Sequence, residues 1–235
     1  MTGRDFWESL GRSVSYTLVL VNAVLFLLVV AVAGAEALFA PPLDTLAAMG
    51  GLLLRRLPQG GYPLLITYGY LHFGLIHFGF NMLVLSRVGP MLEDEIGGPR
   101  YFTLYTTALI GGGLLRYVVS GPINMVVVGA SGGLFGLIGF GMAYTHALGG
   151  HTAHELRNFF LRWALYGFLF GLIVRADNWA HLGGFAVGAG LGLLLEKERH
   201  YRVRWTPVWT GLAWACAAAT VAAFVWVMLQ YAALQ

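Results

Sequence analysis

Charge is scarce in this chain. Of 235 residues, 11% are Asp, Glu, Lys or Arg, against 58% hydrophobic, and the mean hydropathy is +0.71. Soluble domains carry roughly a quarter charged residues, so an ordinary water-soluble globular protein is excluded. Cysteine is almost missing: Cys216 stands alone, which excludes an intramolecular disulfide. The excess of positive charge is only +3. In so apolar a chain basic residues report topology, and no nucleic-acid partner is expected. What fills the sequence is a recurrence of apolar windows of ~20 residues, the length that crosses a hydrocarbon core of about 30 Å. The expected fold class is all-α: a polytopic transmembrane helix bundle in the lipid bilayer, essentially one domain.

Seven spans are read, at roughly 16–38, 76–93, 100–119, 129–148, 158–174, 178–195 and 207–230. The second is the least hydrophobic. Small residues in Ala31-Val-Ala-Gly-Ala-Glu-Ala37 imitate a signal-peptide cleavage site, but the apolar run is longer than an h-region and Asp5 and Glu8 spoil a basic n-region. A retained helix is expected. With the N-terminus inside, Arg4, Arg12, Arg87, Arg100, Arg157, Arg162, Lys197, Arg199, Arg202 and Arg204 fall on the cytoplasmic side, and only Arg55, Arg56, Arg116 and Arg175 outside. Ten against four accounts for all fourteen basic residues, so the positive-inside rule puts the N-terminus in the cytoplasm and the C-terminus outside. Residues 1–15 are then a short cytoplasmic segment, 16–195 a six-helix core, 196–206 a basic cytoplasmic loop, and 207–235 a seventh helix with the C-terminus.

In this topology the even-numbered spans enter from outside. Polar side chains within a hydrocarbon core are costly unless they find partners or water, and four stand at the starts of those spans: His77 and Asn81, Ser131, and His181. His77 and Asn81, four apart, share one helix face. The fourth span carries Gly129, Gly132, Gly133, Gly136 and Gly139, and the sixth carries Ala180, Gly184 and Gly188 at four-residue spacing. Small residues at that spacing let backbones approach closely in lipid, which would bring Ser131 to His181. Glycine packing alone is common in membranes; beside a serine and a histidine it favours a built site. Phe135, one turn below Ser131, is placed to stack on the His181 ring.

A serine with a neighbouring imidazole base points to acyl transfer, with Ser131 as nucleophile and His181 as general base. His77, the Asn81 amide and the Ser131 backbone N–H are the candidate oxyanion donors. Asp177, four residues before His181, reads as the cap of its helix rather than a third catalytic member. Neither a cofactor nor a metal is called for.

Four stretches, in order, resemble the rhomboid family of intramembrane serine proteases. They are Leu71-His-Phe-Gly-Leu-Ile-His-Phe-Gly-Phe-Asn81 with its H-x-x-x-N, the E-x-x-x-G of Leu92-Glu-Asp-Glu-Ile-Gly97, the G-x-S-G of Gly129-Ala-Ser-Gly132, and the A-H-x-x-G of Ala180-His-Leu-Gly-Gly184. The likeness runs from about Tyr62 to Leu195. It implies Ser131 as nucleophile, His181 as base and His77 with Asn81 in the oxyanion hole, supported by Gly129, Gly132, Phe135 and Gly184. It further implies a protease core over 16–195, with 41–74 as a partly submerged outer loop and 207–235 as the extra helix of a six-plus-one layout. The family's Trp-Arg pair ahead of the first motif is absent; Tyr62-Pro63 stands there. The implied partners are transmembrane protein substrates, cut near the outer face. The implied location is a bacterial-type cytoplasmic membrane, with the site opening outward.

Rival readings are weaker. An inactive rhomboid-like client binder typically lacks the serine or the histidine, and both are here. A transporter would carry polar groups through to the inner halves of spans two, four and six, which are mostly apolar. His146, His151 and His154 near Glu155 match no metalloprotease spacing and read as solvated loop histidines. His200 belongs to the basic run, and His72 is assigned no catalytic role. A substrate helix must unwind to reach Ser131, so Gly or Pro near the cut should help, and the small residues around Ser131 suit a small residue before the scissile bond. Entry requires span five or the loop at 171–178 to shift, with Gly167 and Gly171 as hinges.

Overall fold

A computed structural model of the protein describes residues 13–173, 176–200 and 205–232. The expected N-terminal segment 1–15 therefore lies almost wholly outside the described residues, as do Arg175, residues 201–204 of the basic loop and residues 233–235. In chain order the helices are α1 (Val14–Ala33), the short α2 (Leu43–Ala48) and α3 (Leu64–Thr67), then α4 (Gly74–Ile96), α5 (Gly98–Ser120), α6 (Ser131–Leu148), α7 (His151–Ile173), α8 (Asn178–His200) and α9 (Thr206–Ala232). Two-residue strands β1 (Leu52–Leu53) and β2 (Val126–Val127) pair antiparallel, Leu52 opposite Val127. The molecule is an all-α polytopic membrane helix bundle. Five of its long helices, α1, α4, α5, α8 and α9, are long and apolar enough to cross a membrane. α6 is surrounded by α5, α7 and α8 and buries thirteen of its eighteen residues, so most of its side chains meet protein rather than lipid.

Three helix boundaries differ by five or more residues from those read in the sequence. α1 ends at Ala33 rather than 38, because Gly34 takes φ 89° and its N–H turns back to Val30 O; the apolar run continues only as a 3-10 turn, Ala35–Leu38. α7 begins at His151 rather than 158. Its first two turns are polar, so hydropathy missed them although the backbone ladder is continuous. α8 runs to His200 rather than 195, because the Glu, Lys and Arg residues that end the apolar span are good helix formers, so the expected loop at 196–206 begins as helix.

The start of α1 is held from another helix. The Glu93 carboxylate of α4 accepts from the Val14 N–H (2.6 Å), the Ser15 N–H (2.9 Å) and the hydroxyls of Ser13 and Ser15 (2.7 Å each). First-turn amides lack partners within their own helix and sit at its positive dipole end, so one carboxylate satisfies several of them. The loop between α1 and α4, which lacks the Trp-Arg pair, is strapped down by backbone bonds and one threonine side chain. β1 pairs with β2, the Leu54 N–H donates to Met125 O and the Arg55 N–H to Ile123 O (3.1 Å each), and Thr67 Oγ1 donates to Gly50 O at 2.6 Å. Leu46, Leu52, Leu54 and Leu71 are fully buried beneath it. α9 packs on α5 and α3, with Phe224 edge-on to Tyr70 at 5.6 Å. At its other end Trp209 Nε1 donates to Glu198 (3.0 Å), which also pairs with Arg100 at 2.6 Å.

Candidate active site

Ser131 is the first residue of α6, and the strand that delivers it is fixed from two sides. The Gly129 N–H donates to Tyr68 O at 3.0 Å, and the Ala130 N–H points to His72 Nε2 at 3.5 Å. Gly129 has φ 132°, and a Cβ there would lie 2.7 Å from His77 Cε1, so both backbone conformation and the neighbouring imidazole require glycine. Below Ser131, α6 and α8 meet backbone to backbone: a Cβ at Gly184 would run into the carbonyl of Gly132, and one at Gly188 into that of Gly136. Such contact is what small residues permit between helices in lipid. α5 closes the other face of α8, where a Cβ at Gly112 would sit 2.6 Å from Ala180 O.

This packing leaves Ser131 Oγ 2.8 Å from His181 Nε2. Phe135 stacks flat on the His181 ring, with centroids 4.3 Å apart and 9° between planes, which limits ring rotation. On the far side of the ring, Nδ1 lies 2.9 Å from Asn178 Oδ1. His77 accepts at Nδ1 from the Phe73 N–H (3.3 Å), and its Nε2 is buried with no partner among the described residues. A neutral ring that accepts at Nδ1 carries its proton on Nε2, so His77 offers a free N–H. Asn81 donates one amide hydrogen to His77 O at 2.7 Å and keeps a second.

His77, Asn81, Ser131, Phe135 and His181 line one narrow cavity, closed by Phe80 of α4 and Phe170 of α7, whose rings stack at 4.1 Å. It leaves about 20 Å³, room for a single water. His77 and Ala176 also form part of the wall of a wide cleft of about 760 Å³ lined by Phe73, Val126, Arg116 and Trp179. Solvent therefore stands one residue away from the serine. Hydroxyl, imidazole and unspent donors around a nearly dry pocket are the parts that acyl transfer uses.

Asp177 does not reach the His181 ring. Its Oδ1 accepts from the N–H groups of Trp179 and Ala180 at 3.1 Å each, and its Oδ2 pairs with Arg116 Nε at 2.7 Å. Burial raises the Asp177 carboxyl above its ordinary value, against the opposing pull of the Ala180 amide, Arg116 and the Trp179 amide. His151 and Glu155 form an exposed pair at 3.8 Å, and no group of three or more metal-ligating side chains occurs among the described residues.

Two residues here went unread in the sequence, and a third, His72, was given no catalytic role. Asn178 lies three before His181 on one helix face, a signal that was available. Tyr68, whose hydroxyl donates to Leu109 O at 2.7 Å while its carbonyl holds Gly129, had none. His72 is fully buried and edge-on to His77 at 5.3 Å, where it braces both that ring and the Ala130 amide.

The family model described as the rhomboid domain matches residues 59–198. RHOMBOID-like protein 5 of Arabidopsis thaliana is 35% identical over 168 residues, covering 70% of this chain and 54% of that protein. Rhomboid-type serine protease 2 of Emericella nidulans is 36% identical over 134 residues, covering 55% and 26% of the two chains. Rhomboid protease GluP of Bacillus subtilis is 32% identical over 163 residues, covering 64% and 30%. The chain thus spans about half the length of the first relative and less of the others. It belongs to the rhomboid family.

Proposed function

We propose that the chain is an intramembrane serine endopeptidase working through a Ser131–His181 dyad. One observation carries the reading: Ser131 Oγ lies 2.8 Å from His181 Nε2, in a cavity that also presents the Nε2 of His77, unpartnered among the described residues. The Ser131 proton passes to His181 Nε2 as Oγ bonds to the peptide carbonyl carbon and the carbonyl oxygen takes up negative charge. His77 Nε2–H, the Asn81 amide and the Ser131 backbone N–H receive that oxygen. When the intermediate collapses, the C–N bond breaks and the leaving amine takes the proton from His181, while the acyl group stays on Ser131. Water then yields a proton to His181 and attacks the acyl carbon; Oγ departs with that proton and the acid product is released. The names of the Emericella and Bacillus relatives, both called proteases, support this chemistry.

The substrates are transmembrane segments of other membrane proteins. The charge bias, ten basic residues inside against four outside, supports a site facing the outer side of the membrane, with the N-terminus in the cytoplasm. Residues 16–195 form the proteolytic core, and 207–235 add a seventh helix with the C-terminus. The test is a fluorophosphonate probe together with a single-pass substrate. Wild type should label and cleave near the outer boundary, and Ser131→Ala should do neither. Equal labelling of the two proteins would overturn the assignment.

A further inference from the structure

Asn178 has no part in that chemistry, yet its side chain is held against the base. It is the first residue of α8, and its Oδ1 sits 2.9 Å from His181 Nδ1, while Ser131 Oγ sits 2.8 Å from Nε2 on the opposite edge of the ring. A neutral imidazole carries one proton and one lone pair, so these two contacts constrain each other. With the proton on Nδ1, the ring donates to the Asn178 carbonyl oxygen and Nε2 is left to accept from the Ser131 hydroxyl. With the proton on Nε2, the ring donates to Ser131, and the Nδ1 lone pair faces the Asn178 oxygen at 2.9 Å with no hydrogen between them. The second arrangement is repulsive as long as the amide oxygen faces the ring, and it also removes the acceptor that the serine needs.

The amide is held in turn. Asp177, the residue before it, is fixed by the Trp179 and Ala180 amides and by Arg116, so the start of α8 is fastened to α5. On the α7 side Gly171 leaves the necessary space: a Cβ there would stand 2.7 Å from Asn178 Oδ1. Because the Asp177 carboxylate is engaged by Arg116 and two backbone amides, the acceptor presented to the base is a neutral one. An amide oxygen orients the ring without adding a charge at the edge of the hydrocarbon region.

We propose that Asn178 is a positioning residue that selects the Nδ1–H tautomer of His181 and so keeps Nε2 open to the Ser131 proton. The consequence for cleavage rests on the proteolytic reading. The tautomer does not, since it belongs to the resting protein. The test is nitrogen-15 NMR on the full-length protein with labelled histidine, the His181 signals being identified by their loss in His181→Gln. Wild type should show a protonated Nδ1 and a bare Nε2. Asn178→Ala should bring in the Nε2–H form, and Asn178→Asp, which keeps an acceptor in place, should not. In cleavage assays Asn178→Ala should lower kcat by about 10²–10⁴-fold, the range for a misoriented base, with KM little changed, and Asn178→Asp should recover most of the loss. A wild-type His181 protonated at Nε2 would overturn the proposal whether or not any variant folds. So would a folded Asn178→Ala that keeps both the Nδ1–H signal and the wild-type kcat. Loss of the Nδ1–H form in Asn178→Ala, in a wild type that cleaves nothing, would uphold the positioning role and remove the proteolytic one.

Discussion

α6 buries thirteen of its eighteen residues, whereas α7, which also reaches His181, buries three of twenty-three: Phe160, Gly167 and Gly171. The two helices touch the same ring in different ways. α6 brings Ser131 and Phe135 to it from a backbone held against α8 at Gly132 and Gly136. α7 brings only the bare faces of two glycines, Gly167 against Phe135 and Gly171 against Asn178 and His181, and one stacked ring, Phe170 on Phe80. Further from the ring, Phe160 is buried against Gly141 of α6 and Trp163 lines the cavity, while Leu165, Phe168 and Leu172 face outward. Backbone-to-backbone contact has no slack, because interiors packed at that density repack only at a cost. A single ring stack over glycine faces gives way far more easily. The proposed dyad is therefore built on the tighter seam and covered by the more loosely packed helix.

The strongest way to break that comparison is to wedge the seam. Gly184→Val puts side-chain atoms where the Gly132 carbonyl lies, which should cost about 1–3 kcal/mol of overpacking. It should also separate Ser131 from His181 enough to lower cleavage by about 10²-fold or more, the scale of a 1 Å misplacement. Thermal unfolding and probe labelling should both report the change; a Gly184→Val protein with wild-type turnover would show that the seam is not what aligns the pair. The complementary intervention fixes the cover. With Cys216→Ser as background, Phe80→Cys and Phe170→Cys bridged by a short thiol crosslinker should slow cleavage of a transmembrane substrate by about tenfold or more, roughly 1.4 kcal/mol of barrier. Labelling by a small fluorophosphonate should change much less. Equal slowing of both reactions would mean that the bridge distorts the site rather than closing its entrance.

How much of this was open to sequence reading follows from what each feature does to the local pattern. His77, Asn81, Ser131 and His181 stood out because a polar group in an apolar helix is conspicuous, and helical spacing says which ones share a face. Glycine spacing in the fourth and sixth spans carried the seam for the same reason. Hydropathy could not see the end of α1 at Gly34, since the 3-10 turn beyond it is apolar but for Glu36, nor the polar start of α7. A two-residue strand has no periodicity, so β1 and β2 left no trace, and with them went the account of how the loop holds Tyr68 and His72 in place. Asp177 drew attention as an acid near the base, whereas the bond to the ring comes from the amide next to it, a contact set by rotamer and by the space at Gly171 rather than by residue type.

The smallest expected effect is the most discriminating, because it runs in the opposite direction. Phe170→Ala removes the stack with Phe80 but leaves both glycine contacts and the whole α6–α8 seam intact. An aromatic pair contributes about 0.5–1.5 kcal/mol beyond its buried area, so if the stack holds α7 closed, its loss should shift the helix toward opening by about two- to tenfold. Cleavage of a transmembrane substrate should rise by up to that factor, while fluorophosphonate labelling, which does not need the helix to move, stays near the wild-type rate. Thermal stability should fall slightly at the same time, since the closed form loses a contact. A fall in both cleavage and labelling would put Phe170 among the residues that shape the cavity and would tie α7 to the seam as part of one rigid body.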